Sequence, residues 1–142
     1  MRKYLPTLSD LIDRLSIVTL KSIKLSEHKK EYEEEAQLIM GDIDLITKKK
    51  DEGQKIRAIM MVMLSNEIIW ANESEARKGG VGQDKLLKFT HSVNGVRNNA
   101  KNVISTLVGE RKDLKLDCLA AEACKQQGYN FEGVLWENVY TN

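Results

Sequence analysis

Asn66, Trp70, Glu73 and Arg77 follow one another at intervals of four, three and four. On a helix that spacing makes one stripe. Ile59 and Met63 lead into it from the N-terminal side, so the stripe reads as core-facing before it turns polar. A second stripe, His91, Asn94, Asn98 and Lys101, recurs at three, four and three, with Arg97 beside it. Amide side chains both donate and accept hydrogen bonds. Guanidinium groups fork onto phosphate or carboxylate oxygens. An indole offers a stacking face to a base or sugar. The combination suits a small anionic, nucleotide-like ligand. In that reading Trp70 stacks, Asn66, Asn94 and Asn98 hydrogen-bond, and Arg77 and Arg97 hold phosphate. Glu73 orients an arginine or accepts from a ribose or base, and His91 and Lys101 complete the face. Lys21, which shares a face with Asp10, Arg14, Ile17 and Lys24, extends a cationic pocket between helices, a usual place for ligands.

The same residues also fit a buried polar network. Glu73 can pair with Arg77 at i,i+4 or with Arg97 across the bundle, and Asn66 can satisfy Asn94. Such networks fix helix register. The second stripe is locally unfavourable as helix: asparagine is a mediocre helix former, and Gly95 costs roughly 1 kcal/mol against alanine. Local conflict of that kind marks a functional or packing constraint. On the first helix, Asp10 and Arg14 form a natural surface pair.

Signals for an enzyme are thin. Glu31 with Glu34, and Glu110 with Asp113, have the Glu-x-x-Glu and Glu-x-x-Asp spacing that all-helical nucleotide pyrophosphohydrolases use to hold magnesium. Here the two pairs are far apart and lie in charged runs. His28 and His91 do not form a metal-ligand motif. "GGVGQDK" (79–85) lacks the Walker spacing and a preceding strand, so it reads as a turn between helices. No catalytic residue, metal ligand or cofactor is assigned. The main expectation is binding, or sequestration, without catalysis. An enzyme acting on a nucleotide or nucleotide-sugar, with Glu73 as base or ligand, is one alternative. A protein-binding scaffold is the other.

Composition narrows the partners. The chain has 142 residues, of which 42% are hydrophobic, enough to bury a core without staples. Its net charge of +1 argues against a nucleic-acid coat, which carries a clear basic excess. "MRKYLPTLSD" lacks the apolar stretch of a signal peptide, and no run approaches the ~20 apolar residues of a membrane span. Cys118 and Cys124, six apart, match no metal or redox motif and read as small core residues in a reducing cytosol.

Helical periodicity dominates and strand signals are weak. Thr7 or Ser9 can cap a first helix with Asp10 in its opening turn. Its apolar line runs through Leu8, Leu11, Ile12, Leu15, Val18 and Ile23, weakens through "SEHKKEYEEEAQ", and resumes at Tyr32, Ala36 and Ile39. Unbroken, residues 8–39 would be ~45 Å long. Gly41 and Gly53 read as breaks. A second long helix covers 54–78 and a third 83–109, with a shorter one over 113–127. The fold expected is all-α: an antiparallel bundle of three long helices and a shorter fourth, in residues 1–128. Residues 129–142 form an aromatic tail. It holds four of the chain's eight aromatic residues, namely Tyr129, Phe131, Trp136 and Tyr140. Such a tail packs on its own bundle or on a neighbouring subunit of a homo-oligomer.

"LSDLIDRLSIVTLKSIKL", "NEIIWANESEARKG" and "KFTHSVNGVRNNAKNVI" together resemble the signature of an uncharacterised all-helical family of bacteria and phages, some of whose bacterial members lie near glycan-synthesis genes. The matching positions are Asn66, Trp70, Glu73, Ala76, Arg77, Lys88, Asn94, Arg97 and Asn98, within residues 7–107. The family often carries two adjacent acidic residues after the tryptophan, where this chain has Glu73-Ser74. The resemblance implies a helical fold and a shared site, not a reaction. In size and site chemistry the chain is also similar to the oligomeric phage sponges that sequester cyclic-nucleotide immune signals. The expectation is therefore a cytoplasmic, homo-oligomeric protein.

Overall fold

The computed structural model describes residues 5–80, 82–110 and 121–134. The chain is an all-α bundle, with no strand among the described residues. Four long helices, α1 (Leu8–Lys24), α2 (Lys29–Thr47), α3 (Glu52–Arg77) and α4 (Gln83–Leu107), precede the short α5 (Ala121–Gln126). None is long and apolar enough to cross a membrane, among the described residues. Of the helix expected over 113–127, residues 113–120 lie outside the described residues and α5 covers Ala121–Gln126. Cys118, Trp136 and Tyr140 lie outside the described residues, as does Asp113 of the second acidic pair.

Helix α1 starts where its sequence says it should. The Thr7 hydroxyl accepts from the Asp10 backbone N–H, and the Asp10 carboxylate accepts from Thr7 N–H, a reciprocal capping box. The single 8–39 helix does not form. The chain leaves helical geometry at Leu25 and makes one 3-10 turn over Ser26–His28 before α2 begins. The break is stabilised by Lys29, whose ammonium donates to the Ser22 carbonyl in the last turn of α1 (3.0 Å). It falls in the stretch where the apolar periodicity lapses.

Both glycine stops are also relocated. Helix α2 runs through Gly41 and ends at Lys48, which adopts a left-handed φ of 56°. Gly53 lies inside the first turn of α3, where it permits close approach. A Cβ there would sit 2.5 Å from the Met40 carbonyl oxygen. The start of α3 has no cap of its own, because Asp51 is left-handed (φ 59°) and makes no side-chain bond. Asp44 supplies one from α2, accepting from Gly53 N–H at 2.7 Å and Asp51 N–H at 3.1 Å. A carboxylate on one helix thus caps the next.

Two hairpins result. Helices α1 and α2 enclose an apolar cluster of Leu11, Leu15, Val18, Ala36, Ile39, Met40 and Ile43. Helices α3 and α4 pack antiparallel around a second cluster, from Met61 and Ile68 to Phe89, Val93, Val96 and Ala100. The buried Asn72 amide ties this hairpin together, donating to the Leu86 carbonyl (2.8 Å) and to the Thr90 hydroxyl. Helix α3 serves both clusters, with Ile56 and Met60 packed on the first and Met61 and Ile68 in the second. Of the aromatic tail, Tyr129 and Phe131 pack on this chain's own bundle. Tyr129 stacks between Phe89 and Phe131, at centroid separations of 5.7 and 5.8 Å. The Cys124 side chain is fully buried beside them.

Asp44→Ala removes a cap shared between two helices and should cost about 1–2 kcal/mol in urea unfolding. Gly53→Ala should cost more, about 2–3 kcal/mol, because backbone and not a flexible side chain must give way. Equal costs would mean that close packing at Met40 does not constrain the hairpin junction.

Candidate functional site

Between the two clusters lies a polar centre built on Arg57. Its side chain is 3% exposed, on the inner face of α3. The guanidinium makes a two-pronged bond to Glu33 of α2, from Nη2 to Oε1 at 2.7 Å and from Nη1 to Oε2 at 3.0 Å. Its Nε donates to the Thr19 hydroxyl of α1 (3.0 Å), and Nη1 also donates to the Val134 carbonyl (2.8 Å). Glu33 accepts in addition from the Ser22 hydroxyl. One arginine thereby joins α1, α2, α3 and the segment after α5. Fork geometry and a permanent charge make arginine the residue for such a joint. With four of its five N–H groups engaged, Arg57 is not a free anion receptor.

Lys29 adjoins this centre. Its ammonium donates to the Ser22 and Asn130 carbonyls, at 3.0 and 2.8 Å. Burial lowers its pKa to about 8, with Glu33 opposing and Arg57 adding to the shift. A cavity of about 290 Å³ opens beside the joint, lined by Gln37, Asp44, Asp51, Gln54, Arg57 and Val134 among others. Its carboxylates and its committed guanidinium do not suit an anion. None of the candidate ligand-binding residues lines it.

Those residues lie elsewhere, on an exposed face of α3, on a partly buried face of α4 and, for Lys21, on α1. The Asn66, Trp70, Glu73 and Arg77 stripe is not core-facing. All four residues are exposed, Trp70 by 77%, and the leading Ile59 and Met63 are exposed by 52% and 70%. The inner face of α3 is the alternative line Arg57, Met61, Ser65, Ile68 and Asn72. Helix α3 is apolar on opposite sides, and counting from Ile59 selects the outer one. On α4, His91 and Lys101 are exposed while Asn94, Arg97 and Asn98 are half-buried. Asn94, Asn98 and Asn102 are each engaged in contacts. Arg97 reaches Asn94 Oδ1 at 3.4 Å, and its Nε is buried with no partner among the described residues.

No hydrogen bond or ion pair joins the α3 stripe to the α4 stripe among the described residues, and Glu73 pairs with neither Arg77 nor Arg97. Lys21 stands over the Tyr32 ring, 5.9 Å from its centroid, between α1 and α2. Asp10 is occupied by its capping box, and Arg14 reaches Glu35 at 4.0 Å instead. Glu31 and Glu34 are exposed on α2, and no group of three His, Cys, Asp or Glu side chains is placed to hold a metal among the described residues.

The centre on Arg57 went unread in the sequence. Its signal was one charge at the head of the apolar run "IRAIMMVML". Comparison with protein-family models, with curated proteins and with solved structures finds no match.

Glu33→Ala leaves a buried guanidinium uncompensated and should cost about 3 kcal/mol or more in chemical unfolding. The double variant Glu33→Leu/Arg57→Met should cost less than Glu33→Ala alone. A double variant at least as damaging would mean that the pair is not the unit of the joint. Lys29 gives a pH test. Its folded pKa lies below the unfolded value, so the unfolded state binds the extra proton between about pH 8 and 10.5. Its contribution to stability should therefore rise across that window. The difference between wild type and Lys29→Met, measured by urea unfolding, should climb as pH rises. A flat difference would show that burial does not strain the ammonium.

Proposed function

We propose that this chain is a non-catalytic binding protein whose working surface is the outer face of α3, and that its partner there is a protein. The observation that carries the reading is the line of Ile59, Met63 and Trp70, each more than half exposed on one face of the longest helix. Large apolar side chains gathered in such a line mark an interaction site, and tryptophan is the favoured anchor of protein interfaces. The buried centre on Arg57 acts as the scaffold's internal joint. Placement in the cytosol belongs to the same proposal.

One observation favours a second reading, capture of a small anionic, nucleotide-like ligand, as a phage sponge of immune signals would do. Trp70 exposes its ring, and Arg77, two turns further on, has no ion pair among the described residues. They are about 10 Å apart along the axis. That span allows a base on one and a phosphate on the other.

Photo-cross-linking separates the two. Met63, Trp70 and the exposed Glu31 of α2 are each replaced by benzoylphenylalanine in cells that express the chain. Protein adducts from positions 63 and 70, and none above background from 31, are the expected result. Equal yields at all three positions, or no adduct, would overturn the protein-partner reading. In that case Trp70 fluorescence is followed in a Trp136→Phe background during titration with ATP and with a cyclic dinucleotide. A response abolished by Arg77→Ala would establish the second reading.

A further inference from the structure

The stripe through the exposed apolar line of α3 continues at both ends, into the half-buried Glu52 and Lys55 and the exposed Glu73 and Arg77. Glu52, Lys55, Ile59, Met63, Asn66, Trp70, Glu73 and Arg77 follow at intervals of three or four. At 3.6 residues per turn all eight stay within about 40° of one line along the helix. Read from the N-terminus, the stripe is acid, base, three apolar residues enclosing one asparagine, acid, base. Reversed against itself, it is complementary. Glu52 meets Arg77, Lys55 meets Glu73, Ile59 meets Trp70, and Met63 meets Asn66. All four matches fall within one residue, about 1.5 Å, of a single register. Parallel pairing would set like charge against like at every charged position.

We infer that the protein bound on this face is a second copy of the chain, with the two α3 helices antiparallel about a two-fold axis. The inference rests on the reading of the outer face of α3 as the working surface. Such an interface is isologous, so each complementary pair occurs twice. Trp70 packs over Ile59 of the second copy at two symmetric places. The two Asn66 residues flank the axis, where one polar residue in an apolar seam fixes register and partner number.

The charges at the ends are placed for it. Glu73 and Arg77 are exposed and, although i,i+4, do not pair with each other; neither has an ion pair among the described residues. Glu52 and Lys55 pair with each other at 3.0 Å with side chains 17% and 29% exposed, so the second copy's Arg77 and Glu73 would meet that pair at its exposed edge and extend it into a four-membered network. The inner face of α3 is already committed to Arg57, Met61 and Ile68. The apolar line on the opposite side has no partner within the described chain.

Sedimentation equilibrium of the full chain, from micromolar to hundreds of micromolar, tests this, with circular dichroism confirming each variant's fold. A dimer is expected for the wild type and a monomer for Trp70→Glu. Arg77→Glu should weaken the dimer about tenfold by opposing like charges at two places. The double variant Glu52→Lys/Arg77→Glu should restore it to within about threefold of wild type. If Glu52→Lys disturbs the first turn of α3, Lys55→Glu with Glu73→Lys tests the same register.

A dimer indifferent to Trp70→Glu, or a double variant as weak as Arg77→Glu, would overturn the inference. A wild-type monomer that still cross-links from position 70 to a different protein would overturn the second copy and leave the binding face standing. A monomer without adducts would overturn both.

Discussion

The bundle depends on satisfying one permanent charge away from water. Arg57 cannot lose its proton, so the fold must bring it acceptors. It does so by assembling elements distant in sequence, Thr19, Glu33 and the Val134 carbonyl, around one guanidinium. The apolar clusters on either side are non-directional and would tolerate some sliding of one hairpin on the other. A forked ion pair with a further hydroxyl and carbonyl tolerates very little. The two hairpins therefore have a defined mutual position, although most of the apolar burial lies within them.

The remaining junction follows the same logic at smaller scale. Asp44 caps α3 from α2, Gly53 lets the two backbones touch at Met40, and Lys29 closes the end of α1. Each replaces a local solution with one reached across the fold. Helix α3 can then present two apolar faces. Its inner line is fixed by the joint, which leaves the outer line of Ile59, Met63 and Trp70 facing water with its rotation about the helix axis set.

Much of the architecture was legible. The start of α1 at Thr7 or Ser9, the span of α4 and the all-helical class follow from caps and periodicity that act over a few residues; the structure selects Thr7 and adds the reciprocal bond from Asp10. The pattern also weakens through "SEHKKEYEEEAQ", where α1 and α2 part, but its return at Tyr32, Ala36 and Ile39 carried the expected helix on to residue 39. The errors have one physical source. Gly41 and Gly53 look alike in sequence, and only tertiary packing separates a glycine open to solvent from one pressed on Met40. Ile59 and Met61 both lie on plausible apolar lines of α3. Periodicity sees that α3 is two-faced but cannot say which face is inside. That choice is made by Arg57, whose partners are 24 to 77 residues away in sequence. The α4 asparagines were visible as a conflict with helix propensity, but their engagement depends on the folded chain.

The segment after α5 has a consequence for how the protein is made. Phe131 and Val134 are buried in the second cluster, and the Asn130 backbone bonds both to Ile23 and to Lys29, the latter across 101 residues. Arg57 waits for a carbonyl 77 residues downstream. A nascent chain that has passed α4 can form both hairpins, but it cannot close the joint or cover the apolar surface around Phe89 until residue 134 has left the ribosome. Stalled or shortened products would display that surface and an unsatisfied arginine, features by which chaperones and proteases distinguish unfinished chains from finished ones.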